Sequence, residues 1–393
     1  MKFAHVGDTH LGATNFKLKE REEDFLRAFK QFVDKCLEEK VDFVVHSGDL
    51  FDKPRPPNYI LRFCLKQLKR LHKNNVPFFV IPGSHDLGVG GSPISILDEV
   101  GYVINLGEEG FIKEEGEKKL KLKGYKLEKF KVFICGLPGI RARIKKIYKN
   151  LEVQPQDGYY NIFVFHHTLS NIPQIGPYAD IDISMLPKGF DYYAAGHYHS
   201  RTQLQYGSSP VNYPGSTEYC DLTEVENDRE KGFFIVEDGK ARWVKLETRK
   251  FVIQQVNCNN LSPLQIPELC RKIIRENKGG ILILRLLGRL ASGNKSEINR
   301  EIIERIASEK GYIFTKVDTT SLLDQSSPTI IEIKRKSLDE IEEEFLRKQK
   351  YSEGEIKLAK YLIKLLGREL KPSELRAVQA KVYEFLLKEL GLR

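Results

Sequence analysis

None of the six cysteines (Cys36, Cys64, Cys135, Cys220, Cys258 and Cys270) belongs to a CxxC pair, and their spacing is irregular. The expectation is small buried apolar residues in a reducing cytoplasm. No apolar run approaches the roughly twenty residues that a membrane helix needs. The N-terminus, Met1–Val6, lacks the length and cleavage pattern of a signal peptide and reads as a first β-strand. There is no internal repeat, and no helix-turn-helix or zinc-finger pattern that would read bases. One region lacks Asp altogether. Between Arg249 and Lys316 seven Arg and six Lys face six Glu, which places +7 of the net +9 charge in that stretch. Such a block is either a solvated helix surface or an electrostatic footprint for nucleic acid.

What is present describes a soluble, well-packed chain. Hydrophobic residues make up 41% and charged residues 30% of 393 positions, a length that suggests two or three domains. Strands are expected at 2–6, 41–47, 77–81, 131–135, 161–165 and 191–195. Between the first two, Phe25, Phe29, Phe32, Val33 and Leu37 recur at helical spacing. Pro57 opens a second helix reaching to about Asn74, whose apolar arc is wide enough for a dimer contact or for burial on two sides. Further strands at 202–206, 211–213, 232–237 and 242–248, with a hairpin turn at Glu237-Asp238-Gly239-Lys240, complete an α/β sandwich ending near residue 248. The basic stretch 249–318 then reads strand, helix (263–276), strand (281–287), helix (297–309), strand (312–317), a small α+β domain. A polar linker at 319–336 precedes a helical region, 337–393, with apolar positions at Leu338, Ile341 and Phe345, then Ile356, Leu362 and Leu366, then Leu375, Val378 and Val382.

Five segments place metal-ligating residue types where an expected strand ends: Asp8-Thr9-His10, Gly48-Asp49, Gly83-Ser84-His85-Asp86, His166-His167 and Gly196-His197-Tyr198-His199. In open α/β sheets the carboxyl ends of strands form the ligand crevice. In extended backbone, residues two apart point the same way, so Asp8 with His10, and His197 with His199, each aim two groups at one point. Carboxylate plus imidazole suits Mn²⁺, Fe²⁺ or Zn²⁺ rather than an all-oxygen Mg²⁺ or Ca²⁺ site. His46 and His167 are expected to be structural, because strand alternation turns them away from their neighbours.

These segments match the pattern D-x-H, G-D, G-N-H-D, H and G-H-x-H of the calcineurin-like metallophosphoesterases. Within that superfamily the sequence resembles the archaeal SbcD-like nucleases of double-strand-break repair, the meiotic recombination eleven family. The wording that carries this is Phe3-Ala4-His5-Val6-Gly7-Asp8-Thr9-His10-Leu11-Gly12, Arg21-Glu22-Glu23-Asp24-Phe25 and His46-Ser47-Gly48-Asp49-Leu50-Phe51. Further on come Gly196-His197-Tyr198-His199, Tyr213-Pro214-Gly215-Ser216-Thr217-Glu218 and Lys231-Gly232-Phe233. The resemblance implies a four-layer β-sandwich flanked by helices (1–248), a small DNA-capping domain (249–318) and C-terminal helices.

It also implies two Mn²⁺ or similar ions. Asp8, His10, Asp49 and His199 would hold one; Asp49, position 84, His166 and His197 would hold the other, with Asp49 bridging. His85 resembles the family's catalytic histidine. The sequence departs from the pattern at Ser84, where the family has Asn with an amide oxygen on a reach one atom longer, and at Asp52, where some relatives carry His. The implied activity is that of a DNA nuclease, a double-strand 3′–5′ exonuclease and single-strand endonuclease. It would work as a homodimer with an SMC-like coiled-coil ABC ATPase clasped by residues 337–393, in the cytoplasm at the nucleoid. A phosphatase or nucleotide phosphodiesterase on the same scaffold explains the ligands equally well, but not the basic stretch or helical tail. A DNA-binding scaffold with a second metal site impaired by Ser84 is the third reading.

Overall fold

A computed structural model describes residues 1–107, 112–113, 120–122, 124–140, 142–227, 230–326, 345–347 and 351–366. In chain order the first half comprises β1 (Lys2–Val6), α1 (Lys19–Glu38), β2 (Phe43–His46), α2 (Asn58–Lys73), β3 (Phe78–Val80), α3 (Pro93–Glu99) and β4 (Ile104–Asn105). There follow β5 (Ile112–Lys113), β6 (Leu120–Lys121), β7 (Tyr125–Leu127), β8 (Val132–Leu137), α4 (Ile144–Lys149), β9 (Leu151–Glu152) and β10 (Tyr160–Phe165). Then come β11 (Tyr192–Ala195), β12 (Thr202–Tyr206), β13 (Ser209–Tyr213), α5 (Leu222–Glu226), β14 (Gly232–Glu237) and β15 (Lys240–Lys245).

Two six-stranded sheets result, in the orders β15-β14-β1-β2-β3-β4 and β12-β13-β11-β10-β8-β7. The central strands are buried on both faces, and strand alternation sorts their side chains into separate cores. Phe3, Phe43, Val45 and Phe79 of one sheet meet Ile134, Ile162, Val164 and Tyr192 of the other. The opposite faces carry Ala4, Val44, Phe78 and Val80, packed with Phe29, Phe32, Cys64 and Leu68 of α1 and α2. On the far side Phe163, Phe165, Tyr193 and Ala195 pack with Ile144 and Tyr148 of α4. Helix, sheet, sheet, helix gives four layers. The β14–β15 hairpin turns through Asp238 and Gly239, whose φ values of 47° and 78° are those of a two-residue turn with both central residues left-handed.

The basic stretch forms its own small sheet. Strands β16 (Phe251–Asn257), β17 (Gly280–Arg289) and β18 (Tyr312–Asp318) lie parallel, joined by α6 (Ile266–Ile273) and α7 (Arg300–Glu309). Its core is separate, built from Val256, Ile266, Leu282, Leu284, Ile303, Ile306 and Val317. Within the expected linker, Leu322–Leu323 form β19, paired with β17, where Leu322 is fully buried. That pairing draws the first residues after β18 into the sheet, and Met1–Leu323 is one compact unit.

Asp324–Arg393 is the second unit. Its described helix, Glu353–Leu366, starts on a reciprocal cap: Ser352 N donates to Glu355 Oε2 at 2.7 Å, and Glu355 N donates to Ser352 Oγ at 3.3 Å. The helices expected around Leu338 and Ile341, and around Leu375–Leu386, lie outside the described residues. No helix among the described residues is long and apolar enough to cross a membrane.

Candidate metal centre

Strands β1, β2 and β3 run parallel in one sheet, and β10 and β11 run parallel in the other. Their carboxyl ends share one rim, and the five sequence segments meet there. Asp49, after β2, lies between the two halves of the cluster. Its Oδ2 is 3.1 Å from His166 Nε2 and 3.9 Å from His10 Nε2. His10 Nε2 lies 3.1 Å from His199 Nε2, and His199 Nε2 lies 3.8 Å from Asp8 Oδ1. The His166 and His197 rings sit 4.9 Å apart. Potential ligand atoms converge in the groups Asp8–His10–Asp49, Asp49–His166–His197, His10–Asp52–His85 and His10–His199–Cys220.

The backbone is bent to achieve this. Asp8, His10, Asp49 and His197 have φ of 51°, 41°, 54° and 80°, a left-handed conformation that costs non-glycine residues about 1–3 kcal/mol each. Cross-strand bonds hold it: Asp8 N donates to Gly48 O at 2.9 Å, and His10 N to Asp49 O at 3.0 Å. His197 N donates to the Asp8 carboxylate at 3.1 Å, tying the two sheets together at the site. Two glycines allow the approach. A Cβ on Gly48 would sit 2.4 Å from His166 Nδ1, and one on Gly83 would sit 2.1 Å from Asp49 N. Asp86 clamps the 83–86 turn against Asp49, accepting from Gly83 N, Leu50 N and Phe51 N at 2.8, 3.1 and 2.8 Å.

Ser84 is half-buried beside Asp49, flanked by Gly83 and by His85, whose N donates to Asp49 Oδ1 at 2.7 Å. The His85 ring is exposed, and its Nδ1 lies 2.9 Å from Asp52 O. His46 and His167 turn elsewhere. His46 Nε2 meets Thr9 Oγ1 at 3.1 Å, and His167 Nδ1 meets the Tyr148 hydroxyl at 3.2 Å.

Crowding of like and unlike charges perturbs Asp8, His10, Asp49, His166 and His199. Burial pushes the Asp8 carboxyl up, against the pull of His166 and His199. Burial would raise Asp49 too, but the positive charge of His166, helped by the His85 main-chain N–H, outweighs it and holds that carboxyl well below the usual range. His166 is the mirror case: burial opposes its charge, yet Asp49 and Asp8 lift it to about 9. Burial and the His199 charge drive His10 down, whereas His199 rises despite burial, through Cys220, Glu224 and Asp8. Two imidazoles in contact cannot both be cationic, so this pair carries a single positive charge, on His199.

A divalent cation fits this cluster. His166 Nε2 is buried and, although 3.1 Å from Asp49 Oδ2, is not aligned for a hydrogen bond and has no hydrogen-bond partner. His166 Nδ1 lies 2.8 Å from Ser47 O, the backing that leaves a ligating nitrogen its lone pair. Mixed imidazole and carboxylate donors select transition ions.

Four nearby groups were not expected from sequence. Asp52 Oδ1 lies 3.7 Å from His10 Nδ1, and Asp180 Oδ2 lies 4.0 Å from His197 Nε2. Glu224 Oε1 lies 2.8 Å from His199 Nδ1. Cys220 is only partly buried and belongs to the His10–His199 group, whereas the other five cysteines are buried as expected. All four lie outside the five strand-end segments, so spacing carried no signal for them.

Residues 1–201 match the calcineurin-like phosphoesterase family model. The DNA double-strand break repair protein Mre11 of Saccharolobus solfataricus is 30% identical over 381 residues, covering 93% of this chain and 94% of that protein. The protein of the same name from Methanococcus maripaludis is 28% identical, covering 88% and 91%. That of Sulfolobus acidocaldarius is 26% identical, covering 100% and 99%. This chain therefore belongs to the calcineurin-like phosphoesterases, in their archaeal Mre11 family.

Proposed function

We propose that the chain is a metal-dependent nuclease that processes DNA ends in double-strand-break repair. The observation that carries this is Asp49, set between His10 and His166, with imidazoles of both sheets converging on it. Asp8, His10, Asp49 and His199 would hold one ion; Asp49, Ser84, His166 and His197 would hold a second, both Mn²⁺. Two such ions, when bound, supply an activated water and neutralise charge on the phosphodiester.

The chain's own groups do the rest. Asp49 bridges the two half-sites. His85, with Nδ1 donating to Asp52 O, presents an exposed ring that, as an imidazolium, uses its Nε2–H to hydrogen-bond a phosphoryl oxygen or to protonate the leaving oxygen, itself becoming neutral. Arg and Lys of the small domain, in a stretch with seven Arg, six Lys and no Asp, bind backbone phosphate without reading sequence. The names of the relatives, which designate DNA double-strand break repair proteins, support this substrate. On the same family reading the chain cleaves double strands 3′–5′ and single strands internally, as a homodimer, and binds an SMC-like ATPase through its C-terminal helices. Half-exposed Tyr59, Ile96 and Val100, on and beside α2 and α3, suit the dimer contact.

The test is Mn²⁺-dependent release of nucleotides from linear duplex DNA, set against hydrolysis of small phosphomonoesters. DNA cleavage that is lost with chelator is the expected result. Cleavage of the small esters alone would replace the nuclease reading with a phosphatase.

A further inference from the structure

Two sequence fragments with no chemistry assigned to them, Tyr213–Glu218 and Lys231-Gly232-Phe233, meet α5 behind His199. Glu224 Oε1 accepts from His199 Nδ1 at 2.8 Å. Its other oxygen accepts from Lys231 Nζ, from Ser216 Oγ at 3.2 Å and from Cys220 N at 3.0 Å. Lys231 Nζ also donates to Ser216 Oγ at 2.7 Å and to His199 O at 3.0 Å. Glu224, Lys231 and Ser216 are 5%, 2% and 0% exposed, so the network is closed to water.

We propose that Lys231 and Glu224 are a positioning pair that holds His199 with its Nδ1 protonated and its Nε2 aimed at His10, and so sets the metal affinity of that half-site. The inference rests on the metal reading above. The chemistry follows from the imidazole. A carboxylate accepts only, so the nitrogen it touches must carry the proton and the other nitrogen must be the ligand. That other nitrogen lies 3.1 Å from His10 Nε2, where a shared ion would sit. Lys231 supplies what Glu224 needs in order to be buried: an opposite charge, together with donors that occupy its second oxygen. The ammonium also grips the His199 carbonyl, fixing backbone and ring together.

The other histidines at the rim are backed differently. His10 Nδ1 is 3.7 Å from Asp52, His197 Nε2 is 4.0 Å from Asp180, and His166 relies on a main-chain carbonyl. His199 has its carboxylate on Nδ1, the nitrogen turned away from His10, whereas the carboxylate 3.1 Å from His166, that of Asp49, lies on the Nε2 that faces the cluster.

A purely structural role, clipping the 216–231 segment to β14, would involve the same contacts. The experiment separates the two with the full-length double variant Glu224→Leu/Lys231→Met, which removes both charges and leaves neither one buried alone. Calorimetric Mn²⁺ titration of the chelator-treated protein is expected to show one equivalent weakened 10–100-fold and the other unchanged. In the unaltered chain loaded with diamagnetic Zn²⁺, imidazole nitrogen spectra should show His199 protonated at Nδ1 and metal-bound at Nε2. A folded double variant that binds both equivalents like the parent, or Zn²⁺ on His199 Nδ1, overturns the proposal. Should the double variant not fold, the spectrum decides alone. A parent chain that binds no metal would instead defeat the reading of the previous subsection.

Discussion

His85 and Ser84 are neighbours in one turn, yet the proposed function gives one a part in the chemistry and the other a part in coordination. His85 holds the turn through its main-chain N on Asp49 Oδ1, a bond that any residue can make. Its ring is exposed, with Nδ1 2.9 Å from Asp52 O and an edge contact to the His10 ring, whose centroid is 4.9 Å away. Replacing it by Ala should therefore leave Mn²⁺ stoichiometry and DNA binding unchanged while cleavage falls by roughly 10²–10⁴-fold, the usual contribution of a proton-transfer group. Calorimetry, gel shift and a cleavage time course on the same preparation check this, and equal loss of metal would reassign the residue. Ser84→Asn extends the reach of the side chain by one atom and offers an amide oxygen. The second Mn²⁺ equivalent should tighten, read as a lower dissociation constant with the first unchanged. The convergence of Asp8, His10, Asp49, His166, His197 and His199 was legible in sequence because coordination chemistry restricts residue type and strand ends restrict place. Glu224 and Lys231 were not, since they lie 25 and 32 positions beyond His199 and declare themselves only by contact.

At the scale of elements, α1 does more than cover a sheet. Arg21, fully buried, donates to Asp24 Oδ2 at 2.7 Å, to Glu218 Oε1 at 3.2 Å and to Tyr219 O at 2.9 Å, under the rings of Phe25 and Phe251. Asp24 also accepts from Arg249 Nε and Nη2 at 2.6 and 2.8 Å, just ahead of β16, and from Arg27 at 2.8 Å. One carboxylate thus joins α1 of the sandwich to the entry of the small sheet. Asp24→Ala leaves buried Arg21 with Glu218 as its one carboxylate and takes from Arg249 the carboxylate it grips, and should cost about 3–5 kcal/mol in urea unfolding. Arg249→Met leaves Asp24 two partners and should cost clearly less; equal losses would show that the junction does not centre on Asp24. The helices of this junction could be read from apolar periodicity, and the fragment Arg21–Phe25 stood out in the sequence. The assignment of each strand to one of two sheets could not be read, because strands such as Phe43–His46 and Val132–Leu137 are buried on both faces and carry no alternation. Helix α3 and the short β19 were missed for a related reason, being too brief for a period to show.

For the whole molecule, the buried histidines set how metal-free stability responds to pH. His5 lies between the sheets, with Nδ1 3.0 Å from the Tyr192 hydroxyl and Nε2 3.2 Å from Ser47 Oγ. Burial, only partly offset by the Ala195 carbonyl, pushes it down to about 3. Burial together with the His166 charge takes His46 to about 3 and His167 to about 4. Below pH 6.5 the unfolded chain protonates these rings and the folded chain does not, so their stabilisation is complete above 6.5 and falls as pH drops toward 3. Each contributes a slope of about 1.4 kcal/mol per pH unit in that window. His166 acts oppositely: lifted to about 9, its contribution is full below 6.5 and is lost as pH rises through about 9. The two trends cross near the unfolded value of 6.5, where the chelator-treated protein should be most stable. Urea unfolding in chelator from pH 4 to 9 should trace this maximum, and His5→Gln should flatten the acid limb by about one proton while leaving the alkaline limb in place. An acid limb equally steep in that variant would mean that His5 is already protonated in the folded chain, and that its two hydrogen bonds are those of an imidazolium rather than of a neutral ring.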